Sequence, residues 1–155
     1  MPGLPDYLAE ARKLKTKLIL ELKEQSSAER ESEAVKRIVA MVHDMKLEDR
    51  MEYISFSKHA VKEFIRLAPQ NTPVYYLKGD LTPAQLKEIG ASGADYHLSV
   101  FQKNPQLITE CHQLGLKVNV WTVNNTEDFQ WCITNQVDFI TTNEPITLQN
   151  VLKNK

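Results

Sequence analysis

The sequence predicts an α/β fold of about six β/α units with parallel strands, and three observations carry that prediction. Short apolar runs alternate with amphipathic stretches from end to end, the pattern of strands alternating with helices. The strand starts fall at roughly 18, 52, 73, 94, 117 and 138, so from the second onward the step is 21 to 23 residues. Such a step holds a strand, two tight loops and the crossover helix that parallel pairing requires. Finally, several of the intervening helices carry readable start and stop signals.

The expected strands are Leu18–Leu22, Glu52–Phe56, Pro73–Leu77, Ala94–Leu98, Lys117–Val123 and Asp138–Thr142. Most are rich in the β-branched and aromatic residues that strands favour. The first expected helix, Ala34–Met45, puts Val35, Ile38, Val39, Val42 and Met45 on one face. Ser57 caps the next, whose inner face is Ala60, Val61, Phe64, Ile65 and Ala68. Thr82-Pro83-Ala84-Gln85 is a capping box with proline at the first helical position, and Gly90 stops that helix. Asn104-Pro105 repeats the device, and Gly115 is the C′ residue of its helix. Thr126 starts a helix burying Phe129, Cys132 and Ile133, and Ile146–Leu152 forms a last short one. The 155 residues read as a single domain, with no linker, low-complexity tract or sequence repeat.

Composition removes several classes of function. Apolar residues make up 42% and charged residues 25%, as in an ordinary soluble globule with a real core. A net charge of −1 leaves no electrostatic footprint for nucleic acid or an anionic membrane. Charges interrupt every apolar run well before the ~18 residues of a membrane span. The first twenty residues hold Asp6, Glu10 and four cations, which is no signal peptide. No targeting segment is expected, so localisation is left open. Cys111 and Cys132 form neither a metal motif nor a disulfide framework.

Six units leave two architectures open: a doubly wound open sheet, or part of a (β/α)₈ barrel, which normally takes 200 residues or more. In either, chemistry gathers where the strands end. In the first strand Leu18, Leu20 and Leu22 share one face, while Ile19, Glu21 and Lys23 share the other. The leucines suit packing against helices. The anion and cation two residues apart are either a site at the strand mouth or solvated surface beyond a strand that stops at Leu20. In the fifth strand Asn119 and Trp121 share a face; a tryptophan there walls a pocket or fills the core. Thr141-Thr142-Asn143-Glu144-Pro145 closes the last strand with groups able to hold phosphate or to cap the next helix. His43, His59 and His112 read most simply as surface or helix-edge residues, whereas His97 lies near the end of a strand and can reach its active face. No zinc spacing, nucleophile elbow or glycine-rich phosphate loop is present.

Taken together, these segments resemble the glycerophosphodiester phosphodiesterase family. Leu20-Glu21-Leu22-Lys23 is similar to its Glu-x-Lys strand, and Ser55-Phe56-Ser57 to its Ser-Phe strand end. Pro73-Val74-Tyr75-Tyr76-Leu77 resembles the strand that follows. The run from Gly115 through Trp121-Thr122-Val123-Asn124 is the most specific match, and Asp138-Phe139-Ile140-Thr141-Thr142-Asn143-Glu144-Pro145 resembles the closing Asp-x-Ile-x-Thr-x-x-Pro. Met1-Pro2-Gly3-Leu4, followed by Tyr7-Leu8, resembles the Pro-Thr-Leu segment before the Glu-x-Lys strand.

The resemblance implies a (β/α)₈ barrel, here a partial one, and metal-dependent hydrolysis of glycerophosphodiesters to glycerol 3-phosphate and an alcohol. It implies Glu21 as a ligand to a divalent metal, Mg or Ca. Lys23 becomes the catalytic, phosphate-facing lysine, and Phe56 and Trp121 shape the glycerol pocket. The family's N-terminal His-Arg-Gly, Glu-x-Asp and His-Asp segments, which supply two acid/base histidines and two further metal carboxylates, find no match. The chain therefore reads as the C-terminal portion of such a barrel, or as a truncated or redesigned enzyme. Alone it should ligate the metal incompletely, turn over little or no substrate, and self-associate through open barrel edges. Two other readings stand beside this one: a non-catalytic phosphate- or glycerol-binding module, and a structural α/β domain.

Overall fold

The computed structural model describes residues 3–154. Met1 and Pro2, part of the segment compared with Pro-Thr-Leu, lie outside them. The chain forms two compact units, the first ending at Tyr75 and the second beginning at Tyr76.

The first unit holds α1 (Leu4–Ala11), β1 (Leu18–Glu21), α2 (Ala28–Asp44), a 3₁₀ turn at Glu48–Arg50, β2 (Met51–Ser55), α3 (Lys58–Leu67) and β3, which begins at Val74. β1 and β2 are parallel, with Leu18 opposite Met51 and Glu21 opposite Ile54. β3 lies beside β2, its entry marked by the Tyr53 amide donating to the Pro73 carbonyl at 3.0 Å. The core is formed by Val35, Ile38 and Val42 of α2 and Ala60, Val61 and Phe64 of α3, all buried. Tyr53 of β2 stacks on Phe64 with ring centroids 4.2 Å apart. These are the faces that the 3.6-residue spacing of the sequence selects.

Two features of this unit escape periodicity. α2 starts six residues before the expected Ala34, because the Ser27 hydroxyl accepts from the Arg30 amide at 3.2 Å and opens the helix there. Its first two turns are polar, so they carry no apolar stripe to read. α1 is short and buries only Leu8.

The second unit holds α4 (Pro83–Ile89), β4 (Gly93–His97), α5 (Leu98–Lys103), α6 (Gln106–Gln113), β5 (Lys117–Trp121), α7 (Thr126–Thr134), β6 (Phe139–Ile140) and α8 (Pro145–Lys153). β4 pairs parallel with β5, and β5 with β6. Ala94, Tyr96, Val118 and Val120 form one buried strand face, and Leu86, Phe101, Ile108 and Cys111 are the buried helix residues of the same core. The Thr82 capping box forms as expected, and Gly90 ends α4 in the left-handed conformation at φ 86°. α5 is an extra helix after β4, and α8 buries none of its residues, leaving Ile146 exposed. Among the described residues no helix is long and apolar enough to cross a membrane.

Candidate active site

β1 reaches Glu21, and alternation leaves Ile19 and Glu21 exposed while Leu22 is buried on the opposite face. The chain stays paired one residue further, the Leu22 amide donating to the Ile54 carbonyl at 3.0 Å. Continuing that register brings Lys23 abreast of Phe56. Glu21, Lys23, Ile54 and Phe56 thus occupy one face at the C-terminal ends of β1 and β2, with both charged residues exposed and Phe56 half-buried. Among the described residues neither the Glu21 carboxylate nor the Lys23 ammonium has a hydrogen-bond partner. Glu21 also borders a groove of about 350 Å³ between α1 and β1, lined by Leu4, Tyr7, Leu8 and Ile19.

What fixes this rim is a buried network that sequence reasoning missed. The Ser55 hydroxyl donates to the Leu22 carbonyl at 2.7 Å and accepts from the Ser57 amide at 3.0 Å. The Ser57 hydroxyl accepts from the Ala60 amide, capping α3, and donates to Glu31 Oε1 at 2.7 Å. Glu31, 4% exposed, takes the Gln25 amide on its other oxygen at 3.1 Å, and the Gln25 side chain donates to the Lys23 carbonyl at 2.7 Å. Hydrogen bonds to a buried carboxylate are among the stronger ones, so the loop bearing Lys23 is tied at three points. The sequence signal was Ser55-x-Ser57 at a strand end; Glu31, in a polar helical turn, had none.

The second unit has its own rim. Asp95 and His97 of β4 stand in register with Asn119 and Trp121 of β5. Asp95, 3% exposed, accepts from the Asn119 side-chain amide at 2.8 Å, and that amide also reaches the Thr141 hydroxyl at 3.2 Å. The indole N–H of the half-buried Trp121 donates to the Asp95 carbonyl at 2.8 Å, which fixes the ring. The His97 ring meets Trp121 edge-on, centroids 5.0 Å apart at 87°. His97 Nδ1 accepts from the Ser99 amide at 3.1 Å and lies 2.9 Å from the Ser99 hydroxyl. The closing segment after β6 is occupied with itself: Asn124 Oδ1 accepts from the Asn143 amide and the Thr142 hydroxyl, which in turn accepts from the Glu144 amide. That is loop closure before α8.

The remaining histidines are held by neighbours away from these strand ends. His43 pairs with Glu48 at 2.6 Å, His59 with the Ser32 hydroxyl at 2.9 Å, and His112 with Asp138 at 2.8 Å. The His43-Asp44 dipeptide is therefore the exposed end of α2 rather than a strand-end His-Asp. Burial pushes the Cys111 and Cys132 thiols up to about 11, leaving them unreactive near neutrality. Among the described residues no three of His, Cys, Asp or Glu gather to hold a metal ion. Hard divalent cations take six to eight oxygens, several of them anionic, and the single carboxylate of Glu21 does not meet that demand.

Parallel β/α units whose strands follow one another in the order β1 to β6, without the reversal of a doubly wound sheet, belong to the barrel class of α/β proteins. Residues 1–147 match the model of the glycerophosphoryl diester phosphodiesterase family; the chain belongs to that family. A curated relative, a glycerophosphodiester phosphodiesterase of Caldanaerobacter subterraneus subsp. tengcongensis, is 25% identical over 118 residues, 76% of this chain and 48% of its own. A crystal structure of a glycerophosphodiester phosphodiesterase from Parabacteroides distasonis superposes with a TM-score of 0.96 at 45% identity, covering 99% of this chain and 64% of that one. An Oleispira antarctica phosphodiesterase, solved with its product sn-glycerol 3-phosphate, shares the fold with a TM-score of 0.84 at 19% identity, over 98% of this chain and 61% of that one. The chain thus spans about half the length of the curated relative and under two thirds of these two structures. Its fold is a run of six parallel β/α units of the (β/α)₈ barrel type.

Proposed function

We propose that this chain serves the hydrolysis of glycerophosphodiesters to glycerol 3-phosphate and an alcohol. The observation that carries the reading is the exposed Glu21–Lys23 pair, projecting on one face from the C-terminal end of β1, abreast of Phe56. Barrel enzymes place their chemistry at that end of the strands. In the reaction a water oxygen bonds to phosphorus, the bond from phosphorus to the head-group oxygen breaks, and the alcohol leaves with a proton. Negative charge builds on the non-bridging oxygens. Lys23 stabilises it as a fixed cation. Phe56 in the first unit and Trp121 in the second each offer an apolar ring suited to glycerol carbons. Glu21 offers one carboxylate to a divalent cation, Mg or Ca, whose other donors come from outside the described residues.

General acid–base groups contribute about 10²–10⁴-fold each, and neither strand-end rim supplies a histidine poised beside a carboxylate for that work. The 155-residue chain alone is accordingly read as inactive, as one domain, and as self-associating through its strand edges.

The test is choline release from glycerophosphocholine with Mg²⁺ or Ca²⁺. It is run on the chain alone and with the part of the Parabacteroides relative that this chain does not cover supplied as a fusion. Turnover in the fusion, lost in Lys23→Ala, supports the reading. A folded fusion whose turnover is unchanged by both Lys23→Ala and Glu21→Ala overturns it. Saturable glycerol 3-phosphate binding with no turnover in either form favours a binding module. Light scattering that shows a sharp monomer at high concentration overturns self-association, and two separate unfolding transitions overturn the single domain.

A further inference from the structure

We propose that His97 is a specificity residue that donates a hydrogen bond from Nε2 to a hydroxyl of a glycerol unit lying on Trp121. The proposal rests on the reading of Trp121 as a wall of the glycerol pocket and adds the group that would recognise the polyol.

The register of β4 and β5 sets His97 directly beside Trp121 at the strand ends, and the two rings meet edge to face with centroids 5.0 Å apart at 87°. The hydrogen bonds of His97 determine what it offers. Nδ1 accepts from the Ser99 backbone N–H at 3.1 Å, so in the neutral imidazole the proton resides on Nε2. The exposed ring thus presents a donor, and among the described residues nothing accepts from it. Trp121 is fixed by its own bond to the Asp95 carbonyl, and the Asp95–Asn119–Thr141 layer below is already satisfied. An ordered aromatic wall beside one oriented donor suits a ligand with carbon-bound hydrogens on one side and a hydroxyl at its edge. Glycerol has that form; a bare phosphate does not. A few placed polar groups on an apolar wall are how small-molecule sites fix orientation.

The experiment titrates the full chain, labelled with ¹⁵N histidine and tryptophan, with sn-glycerol 3-phosphate and with n-propyl phosphate, which keeps the phosphate and carbon chain but lacks the hydroxyls. The glycerol compound is expected to move the His97 Nε2 and Trp121 indole signals together and to bind on the order of tenfold tighter than propyl phosphate, as one net hydrogen bond allows. His97→Phe, which keeps a ring against Trp121, should abolish that preference by weakening the glycerol compound alone. His97→Gln, whose amide nitrogen lies near the place of Nε2, should retain most of it. An unchanged preference in a folded His97→Phe chain overturns the proposal and leaves the phosphodiesterase reading standing. No binding of glycerol 3-phosphate to the unsubstituted chain overturns the proposal, while the phosphodiesterase reading is decided separately by turnover in the fusion.

Discussion

The rim of the first unit and the rim of the second are built in opposite ways. At the end of β1 the charged side chains of Glu21 and Lys23 are exposed and unpartnered among the described residues, while the backbone beneath them is anchored through Ser55, Ser57 and the buried Glu31. At the ends of β4 and β5 the side chains themselves are held: Asp95 by Asn119, Trp121 by the Asp95 carbonyl, His97 by Ser99. The first arrangement keeps two charges hydrated until a ligand replaces the water. The second keeps an aromatic wall in one orientation in advance, so less ordering remains when a ligand arrives. Loss of a partner should therefore cost stability in the tied networks and almost none at the charged pair.

The largest effect tests the second rim through its backbone. A Cβ at Gly93 would run into the Lys117 carbonyl oxygen across the β4–β5 pair, and backbone cannot yield as a side chain tip does. Gly93→Ala should cost about 3 kcal/mol, seen in urea unfolding, and should shift Trp121 fluorescence as the register to His97 is disturbed. An alanine variant of unchanged stability would break the account of that rim.

Next comes the anchor of the first rim. Glu31→Ala leaves the Ser57 hydroxyl and the Gln25 amide without their acceptor, a loss of about 2 kcal/mol. Amide exchange should rise at Gln25 while β4 and β5 stay protected. Equal loosening in both units would mean that the network does not act locally.

The cysteines give a pH test in each half of the second unit. Their folded values are raised from the usual 9.0 to about 11, chiefly by burial, with acidic neighbours adding to it. The folded state therefore holds these protons more tightly than the unfolded state. That contribution is complete below about pH 9 and is lost as pH rises toward 11. Tyr53, raised by burial and by Glu48 to about 12, extends the decline in the first unit. Equilibrium unfolding between pH 8 and 11 should show falling stability, and Cys111→Ala with Cys132→Ala should flatten the first part of the fall. The smallest effect is at the charged pair: Glu21→Ala and Lys23→Ala should each change stability by no more than about 0.5 kcal/mol. A larger loss in thermal unfolding would give these side chains a structural role.

Legibility followed the range of the interaction. The helix from Thr82 was readable because capping boxes and C-terminal glycines are local devices, and Gly90 is indeed left-handed. β6 is Phe139–Ile140 where Asp138–Thr142 was expected, although backbone pairing with the β5 segment runs on at both ends, the Asp138 and Thr141 amides donating to the Val118 and Val120 carbonyls. α5 was missed since the strand's alternation of Ala94, Tyr96, Leu98 and Val100 with polar residues runs straight on into it. Of the site, Glu21 and Lys23 stood out as charges in a leucine-rich strand, and Trp121 through its segment. His97 was visible only as a strand-end histidine. Glu31 and Asp95 were not visible at all, since nothing local separates a carboxylate that will be buried from one that will be solvated.

By itself the sequence determined the order of strands and helices, the apolar face of most of them, and the charge pair at the end of β1. Those follow from periodicities of two and 3.6 residues and from caps a few residues long, which chain neighbours suffice to set. Only the tertiary structure decided that Trp121 faces His97, that Lys23 comes abreast of Phe56, and that Glu31 and Asp95 are buried acceptors. Each depends on the register between strands, or the packing of helix on strand, across some 20 to 35 positions of chain. A one-residue slip in strand register would turn the strand side chains among these to the other face.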